Sequence, residues 1–437
     1  MKKILCVALV LLCVGALLFA GGGQQGSGGG KTKIVFWHAM AARNGDAINR
    51  MVSAFNASQD KIEVEAQFQG GYSDAIIKVR GVPKGQGPDI MQLNDLTVRW
   101  AADSGLIHKM QDFINADKYD ISDYEPNILA YYTLGGELYS MPFNVSVPVV
   151  IYNKEAVAKA GLDPKTAFAT LDSCIASSQA LKAAGMDAGF VFPDYSWMYE
   201  QMMAIQGKDI FDNGNGRQGR PTKIVNEDAL LAIFTKYKTC VTDPTSKYYG
   251  KGPAVAVEQF NAGVVGAYME SCGIYENAYI AAAGKFSIGY APLPKVNASD
   301  TGSTYASGGC LWLMDNGNDT KAKAAWEFIK FATSAEQQAI WSTGTGYIPI
   351  RKGAISQPVF QEYMKTKNPE IIVAIQNLQN AKVSSVGGLA GVYPEIREIF
   401  QNEVDVMASN PAVTPRQTVD RAVKQINDAI TLYNRTN

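Results

Sequence analysis

The sequence predicts an α/β protein of two lobes that close on each other as a hinged clamp, each lobe assembled from discontinuous stretches of chain. Three observations lead there. A strand, helix, strand, helix, strand alternation opens at about residue 33, and a second alternation follows from about residue 147. Between and after them, 135–152 and 288–296 read as extended crossings from one lobe to the other. The chain has 437 residues, 47% hydrophobic and 19% charged, which is ordinary globular composition and the length of two or three domains. Its 40 basic and 41 acidic residues leave a formal charge of -1. That excludes a broad basic field for nucleic acid and a polybasic membrane anchor, so the expected partner is a small ligand.

Residues 1–20 read as an export signal rather than fold. Lys2 and Lys3 form a positive start, Ile4 to Ala20 is apolar, and Phe19-Ala20 before Gly21 offers a small-residue cleavage point. Residues 21–30, rich in Gly, Ser and Gln, read as a flexible leader. A lipid-anchored form would carry Cys directly after the cleavage point, where Gly21 stands. The mature chain is therefore expected in the periplasm, with four cysteines: Cys174, Cys240, Cys272 and Cys310. Their spacing forms neither CxxC nor a zinc pattern, and they are read as buried thiols. No metal site is expected.

The elements follow in order. Lys33 to Trp37 is an apolar strand, and Ile48, Met51, Val52 and Phe55 share one face of a helix over 46–58. Lys61 to Glu65 alternates as a strand, Tyr72 to Arg80 is helical, and Pro88 to Leu93 is a strand ending in Asn94-Asp95. Such a parallel sheet places its ligand beyond the carboxyl ends of the strands, at Trp37-His38, Gly71-Tyr72 and Asn94-Asp95. After the crossing through Asn144-Val-Ser146, helices at 172–185, 196–206 and 226–239 and the strand Gly263 to Met269 build the second lobe. Pro292 and Pro294 keep the return crossing extended. Gly309 to Met314 is a strand, 326–332 a helix, and Thr333-Ser-Ala-Glu336 a capping box for a helix ending at Gly344. Only helices follow residue 350. The expected boundaries are 31–144 with 297–348 for lobe 1, and 145–296 with 349–437 for lobe 2.

Catalytic signatures are missing. Gly214-Asn-Gly-Arg-Gln-Gly219 matches GxGxxG but lies between Phe211-Asp-Asn213 and Arg220-Pro221, which makes it a surface loop rather than a dinucleotide site. The chain has no Walker loop, GxSxG elbow or HExxH, and only His38 and His108 are available to a histidine-based hydrolase.

Several segments carry a resemblance. Phe36-Trp-His-Ala-Met40, Gly70-Gly-Tyr-Ser-Asp74, Met141-Pro-Phe-Asn144, Tyr152-Asn-Lys154 with Ala160-Gly-Leu-Asp163, Gly308-Gly-Cys-Leu-Trp312, Gly344-Thr-Gly-Tyr-Ile-Pro349 and Pro394-Glu-Ile-Arg397 occur in one order from residue 33 to 430. Together they resemble the extracellular solute-binding proteins of ABC importers, on the side of the family that binds glycerol-3-phosphate rather than maltose. The resemblance implies the two-lobe periplasmic binding protein fold of the type II, hinged-clamp kind. It also implies a ligand that is glycerol-3-phosphate, a glycerophosphodiester or a sugar, and ABC permease subunits as partners. No cofactor and no catalytic residue are expected, and the chain is expected to be a monomer. Carried over by position, the ligand contacts are Tyr72, Asp95, Ser146, Trp197, Ser271, Gly308, Tyr347 and Arg397, with His38 behind them. Asp95 stands where the family carries Glu, one methylene longer.

The chemistry of these residue types fits that reading. A phosphate ester needs convergent donors, and the Arg397 fork can make two parallel charge-assisted bonds to it. Ser271-Cys-Gly273 at a helix start offers free amides to an anion, and Gly308 lets backbone amides approach. Trp197 is a platform for a glycerol face or a choline head group. An oligosaccharide receptor would need aromatic platforms and carboxylates without Arg397, and a secreted hydrolase of glycosides or phosphodiesters would show turnover.

Overall fold

The computed structural model describes residues 30–382 and 386–437. The expected export signal, and all of the leader except Gly30, lie outside these residues. The first part of the chain forms β1 (Thr32–His38), α1 (Ala42–Ser58), β2 (Ile62–Phe68), α2 (Tyr72–Arg80), β3 (Ile90–Asn94), β4 (Ile107–His108) and β5 (Met141–Ser146). The middle forms β6 (Pro148–Asn153), α3 (Leu171–Ala183), β7 (Ala188–Val191), α4 (Ser196–Ile205), α5 (Glu227–Thr242), β8 (Val265–Ser271), α6 (Tyr275–Ala282) and β9 (Ile288–Pro292). The last part forms β10 (Ser307–Met314), α7 (Asp319–Ala332), α8 (Ala335–Thr345), α9 (Pro358–Thr366), α10 (Ile371–Gln379), α11 (Tyr393–Ser409) and α12 (Pro415–Thr436).

Two sheets carry the fold. The first has the order β2-β1-β3-β10-β4, with β5 also paired to β10. β1 runs parallel to β2 from Thr32 opposite Ile62 to His38 opposite Phe68, and parallel to β3, as the opening alternation predicts. β10 returns antiparallel to β3 from late in the chain. The second sheet has the order β9-β6-β8-β7. Only Val147 separates the last residue of β5 from the first of β6, so the chain changes sheet in one step there and returns between Pro292 and Ser307. The first sheet thus holds Val145 and Ser146, which the sequence reading gave to the second lobe. The expected helix-only tail is shared too: α9 packs on α8 beside the first sheet, whereas α10 packs on β9 of the second.

Strand alternation divides the core. On β6, Val149 and Ile151 face one cluster with Phe36, Leu311 and Trp341, while Val150 and Tyr152 face another with Phe190, Phe234 and Phe400. Each such buried large side chain stabilises the fold by about 1.5–3 kcal/mol. α1 buries Ile48, Met51, Val52 and Phe55, the predicted face, although it starts earlier, at Ala42.

Two local expectations are corrected. The α8 cap is Ser334, whose Oγ accepts from the Gln337 amide at 3.3 Å, one residue after the predicted Thr333. The Thr333 hydroxyl instead donates back to the Ile329 carbonyl at 2.8 Å, and α8 runs on to Thr345 before Gly346 turns with φ 89°. The GxGxxG stretch is also more than a surface loop. Its tip, Asn213-Gly214, is exposed, but Asn215 is buried and its Oδ1 accepts the amides of Ile210 and Phe211, both at 3.1 Å. Arg217 donates to the carbonyls of Ala130, Tyr131, Thr133 and Gly387, tying the loop to two distant segments. All four cysteines are free and buried.

Candidate functional site

Between the two sheets lies a cavity of about 360 Å³, and all eight predicted ligand-contact residues line it. Five come from the first-sheet side, each at an element boundary. Tyr72 opens α2, Asp95 follows β3, Ser146 ends β5, Gly308 is near the start of β10, and Tyr347 follows α8. Trp197 in the first turn of α4, Ser271 at the end of β8 and Arg397 in the first turns of α11 face them from the other side. The cavity opens into a groove of about 740 Å³ between α2 and α11. Arg80 of α2 crosses that groove to Glu395 of α11 at 2.9 Å. A separate hollow lies behind Glu200, beside Lys208 and Lys382, and holds none of the eight.

Glycine makes the close approach at Gly308. Its φ is +139°, and a Cβ there would lie 2.3 Å from the Asn144 carbonyl oxygen. The pairing of β10 with β5 shifts register next to it, between Gly309 and Cys310. Beside it, a chain of amides orients Tyr72. Gln92 accepts the Ala39 amide at 3.0 Å and donates to Asn144 Oδ1 at 2.6 Å, and Asn144 Nδ2 donates to the Tyr72 hydroxyl oxygen at 2.9 Å. Because that oxygen is already accepting, the Tyr72 proton is free to be donated to a ligand.

The charged groups differ from what the sequence suggests. The Arg397 fork is occupied: Nε and Nη2 donate to the two oxygens of Glu200 at 2.6 and 2.8 Å. Among the described residues Nη1 has no hydrogen-bond acceptor, so one nitrogen rather than the fork is left for a ligand. Burial works against this guanidinium, yet Glu200 and then Asp95 hold its pKa well above the usual value. Asp95 accepts the Ser307 hydroxyl. Burial pushes its carboxyl up to about 6 against the pull of Arg397. Burial likewise raises Glu270 to about 7, and the Ser271 amide is its one hydrogen-bond donor, at 2.6 Å.

Ser271 does not open a free helix end. The Cys272 amide donates to the Val147 carbonyl at 3.0 Å and the Gly273 amide to Ser271 Oγ at 3.1 Å, so the amides expected for an anion are taken. What Ser271 keeps is its own O–H. Trp197 is 3% exposed, and among the described residues its Nε1 has no hydrogen-bond partner, nor has Asn94 Oδ1 at the same cavity. His38 is outside the lining. Its ring packs on Phe36 and Phe68, its Nδ1 accepts the Met40 amide at 3.4 Å, and burial lowers it to about 4, which leaves it neutral. Trp37 also turns away, donating Nε1 to Gln67.

Sequence reading missed Glu270, Tyr195 and Asn144 at the cavity, and Glu200 behind it as the partner of Arg397. A signal existed for Glu200, which lies three residues after Trp197 and so on the same helix face. Among the described residues no cluster of His, Cys, Asp and Glu is placed to hold a metal, and no helix is long and apolar enough to cross a membrane.

Residues 50–368 match the family described as bacterial extracellular solute-binding protein. The chain belongs to that family. This solute-binding protein is 28% identical over 424 residues to the sn-glycerol-3-phosphate-binding periplasmic protein UgpB of Yersinia enterocolitica, covering 93% of this chain and 94% of the relative. It is 27% identical over 416 residues to UgpB of Escherichia coli, with the same coverage of 93% and 94%. Among solved structures, UgpB from Mycobacterium tuberculosis in complex with glycerophosphocholine superposes with a TM-score of 0.76 at 21% identity, over 93% of this chain and 100% of that one. Maltose-bound MalE3 of T. maritima gives 0.74 at 17% identity, over 91% and 100%. The solute-binding protein therefore has the two-lobe fold of periplasmic binding proteins.

Proposed function

We propose that this protein is the periplasmic substrate-binding component of an ABC importer. It captures a phosphorylated glycerol, either glycerol-3-phosphate or a glycerophosphodiester, between its lobes and delivers it unchanged to the permease. The observation that carries the reading is the convergence on one cavity of Arg397, whose Nη1 is unpaired among the described residues, with Tyr72, Ser146, Ser271 and Trp197, whose indole N–H is likewise unpaired. These are donor-bearing residues from both sides of the cavity, as an anionic ester with glycerol hydroxyls requires. Asp95 is the acceptor for a glycerol hydroxyl. Contacts from both sides favour the closed state, which is how a ligand stabilises a hinged receptor.

The relatives that bind sn-glycerol-3-phosphate by name support the phosphate over the sugar. The test is a thermal-shift and calorimetry panel of glycerol-3-phosphate, glycerophosphocholine, maltose and inorganic phosphate. At 100 times its dissociation constant a true ligand raises stability by about 2.7 kcal/mol. A response to maltose alone rejects the phosphate assignment, and appearance of free glycerol-3-phosphate from glycerophosphocholine rejects delivery without chemistry.

A further inference from the structure

The cavity holds more acid than its one arginine can offset. Arg397 is paired with Glu200 through two hydrogen bonds, which leaves Asp95 and Glu270 as additional carboxylates on the wall. A second negative charge on the ligand is disfavoured in such surroundings, whereas a positive one is drawn in. Glu270 is 7% exposed, and among the described residues it receives only the Ser271 amide and no Lys, Arg or His forms an ion pair with it within 4.0 Å, so it is the carboxyl without a counter-charge there.

Its surroundings suit a cation. Tyr195 and Trp197 line the same cavity with ring centroids 5.8 Å apart, and Tyr347 closes it from the other sheet. The charge of Glu270 is felt at the hydroxyls of Tyr195, Tyr268 and Tyr347, which places the carboxylate among aromatic rings. A buried acid with aromatic walls is the chemistry that holds an ammonium group. Arg397 Nη1 and the Trp197 indole N–H, both without partners among the described residues, are left for the phosphodiester oxygens of the same molecule.

We propose that Glu270 sets the specificity of the cleft by taking the cationic head group of a glycerophosphodiester, so that an ammonium-bearing diester is preferred to one with an uncharged head and to glycerol-3-phosphate. This rests on the phosphorylated-glycerol reading above and adds to it a residue and a charge.

The test is calorimetry of the full mature chain and its Glu270→Gln variant with glycerophosphocholine, glycerophosphoethanolamine, glycerophosphoglycerol and glycerol-3-phosphate. The wild type is expected to bind the two ammonium diesters about 10- to 100-fold more tightly than glycerophosphoglycerol, and Glu270→Gln to reduce that ratio to about threefold or less by weakening the ammonium diesters, with glycerophosphoglycerol still bound at least as tightly as by the wild type. The choline and ethanolamine arms separate a quaternary from a primary ammonium. A second readout is the pH profile of both proteins. The wild-type preference for the ammonium diesters widens from pH 6 to pH 8 as Glu270 ionises. Over that range Tyr195, Tyr268 and Tyr347 stay protonated, and Asp95, raised to about 6, completes its own ionisation in wild type and variant alike, so the widening that Glu270→Gln abolishes is the part due to Glu270. Equal wild-type affinity for glycerophosphocholine and glycerophosphoglycerol, or a ratio that survives Glu270→Gln, overturns the assignment and leaves the phosphate reading intact. Absence of binding to all four overturns both.

Discussion

Replacing Arg397 alone confuses two effects, because its partner is a buried acid. Glu200 has a side-chain exposure of 1% and Arg397 of 14%, and the pair is closed by bonds of 2.6 and 2.8 Å. Removing one member of such a pair costs about 3–5 kcal/mol, since the other is left buried and unpaired. For roughly 400 ordered residues the unfolding entropy is about 0.8 kcal/mol per kelvin, so each single variant, Arg397→Met or Glu200→Leu, is expected to lose about 4–6 °C in Tm. The double variant removes both charges and is expected to recover to within about 1–2 kcal/mol of wild type. It cannot grip a phosphate. Two charge-assisted bonds from Nη1 at about 1.5–3 kcal/mol each amount to a loss of at least about 100-fold in affinity. Differential scanning calorimetry and titration of all four proteins with glycerol-3-phosphate and glycerophosphocholine complete the cycle. A double variant that is stable and still binds either ligand within about twofold of wild type would refute the role of the guanidinium in the cleft, as would a cycle in which the two single losses simply add.

The remaining expectations are more compact. Burial raises Asp95 to about 6 and both Glu270 and Asp194 to about 7. The folded state therefore holds protons that the unfolded chain has released, and this stabilisation is lost as pH rises through 6 to 7. His38, lowered to about 4, exacts its cost only below its ordinary value of 6.5. Unliganded protein should thus lose on the order of 3 kcal/mol between pH 6 and pH 8, read as a falling Tm, and a flat profile contradicts the buried state of these acids. Gly308→Ala forces a Cβ to within 2.3 Å of the Asn144 carbonyl at φ +139°; a loss of about 2–3 kcal/mol with weakened binding is expected, measured by urea unfolding and calorimetry. Arg217→Ala breaks bonds to four carbonyls in two distant segments. It should cost about 3 kcal/mol or more while ligand affinity at the remaining folded protein is unchanged, and a selective loss of affinity would contradict its purely structural place.

What could be read from the sequence was local or periodic. α2 starts at Tyr72 and ends at Arg80 as predicted, because Gly70-Gly71 before it and Gly81 after it bracket one buried face, Ala75, Ile76 and Val79. The eight cavity residues were found through segment resemblance, and their meeting place followed from strand ends. What stayed hidden was pairing across long stretches of chain. Nothing near residue 200 announces an arginine 197 positions later, and Glu270 sits in a strand whose alternation says only which face it is on. The α8 cap was misplaced by one residue because Thr333 and Ser334 are both good caps and only the backbone path decides between them. The amides after Ser271 read as free because one acceptor, the Val147 carbonyl between β5 and β6, is distant in sequence, and the other is the Ser271 hydroxyl oxygen itself.

The single residue between β5 and β6 has a mechanical meaning. Ser146 lines the cavity and ends β5, and Pro148 begins a strand of the other sheet, so the Ser146 hydroxyl stands next to the residue at which the chain changes sheet. If the lobes close as proposed, a point so near the linker would travel less than the rim, and a solute resting against it would keep that contact while the jaws swing.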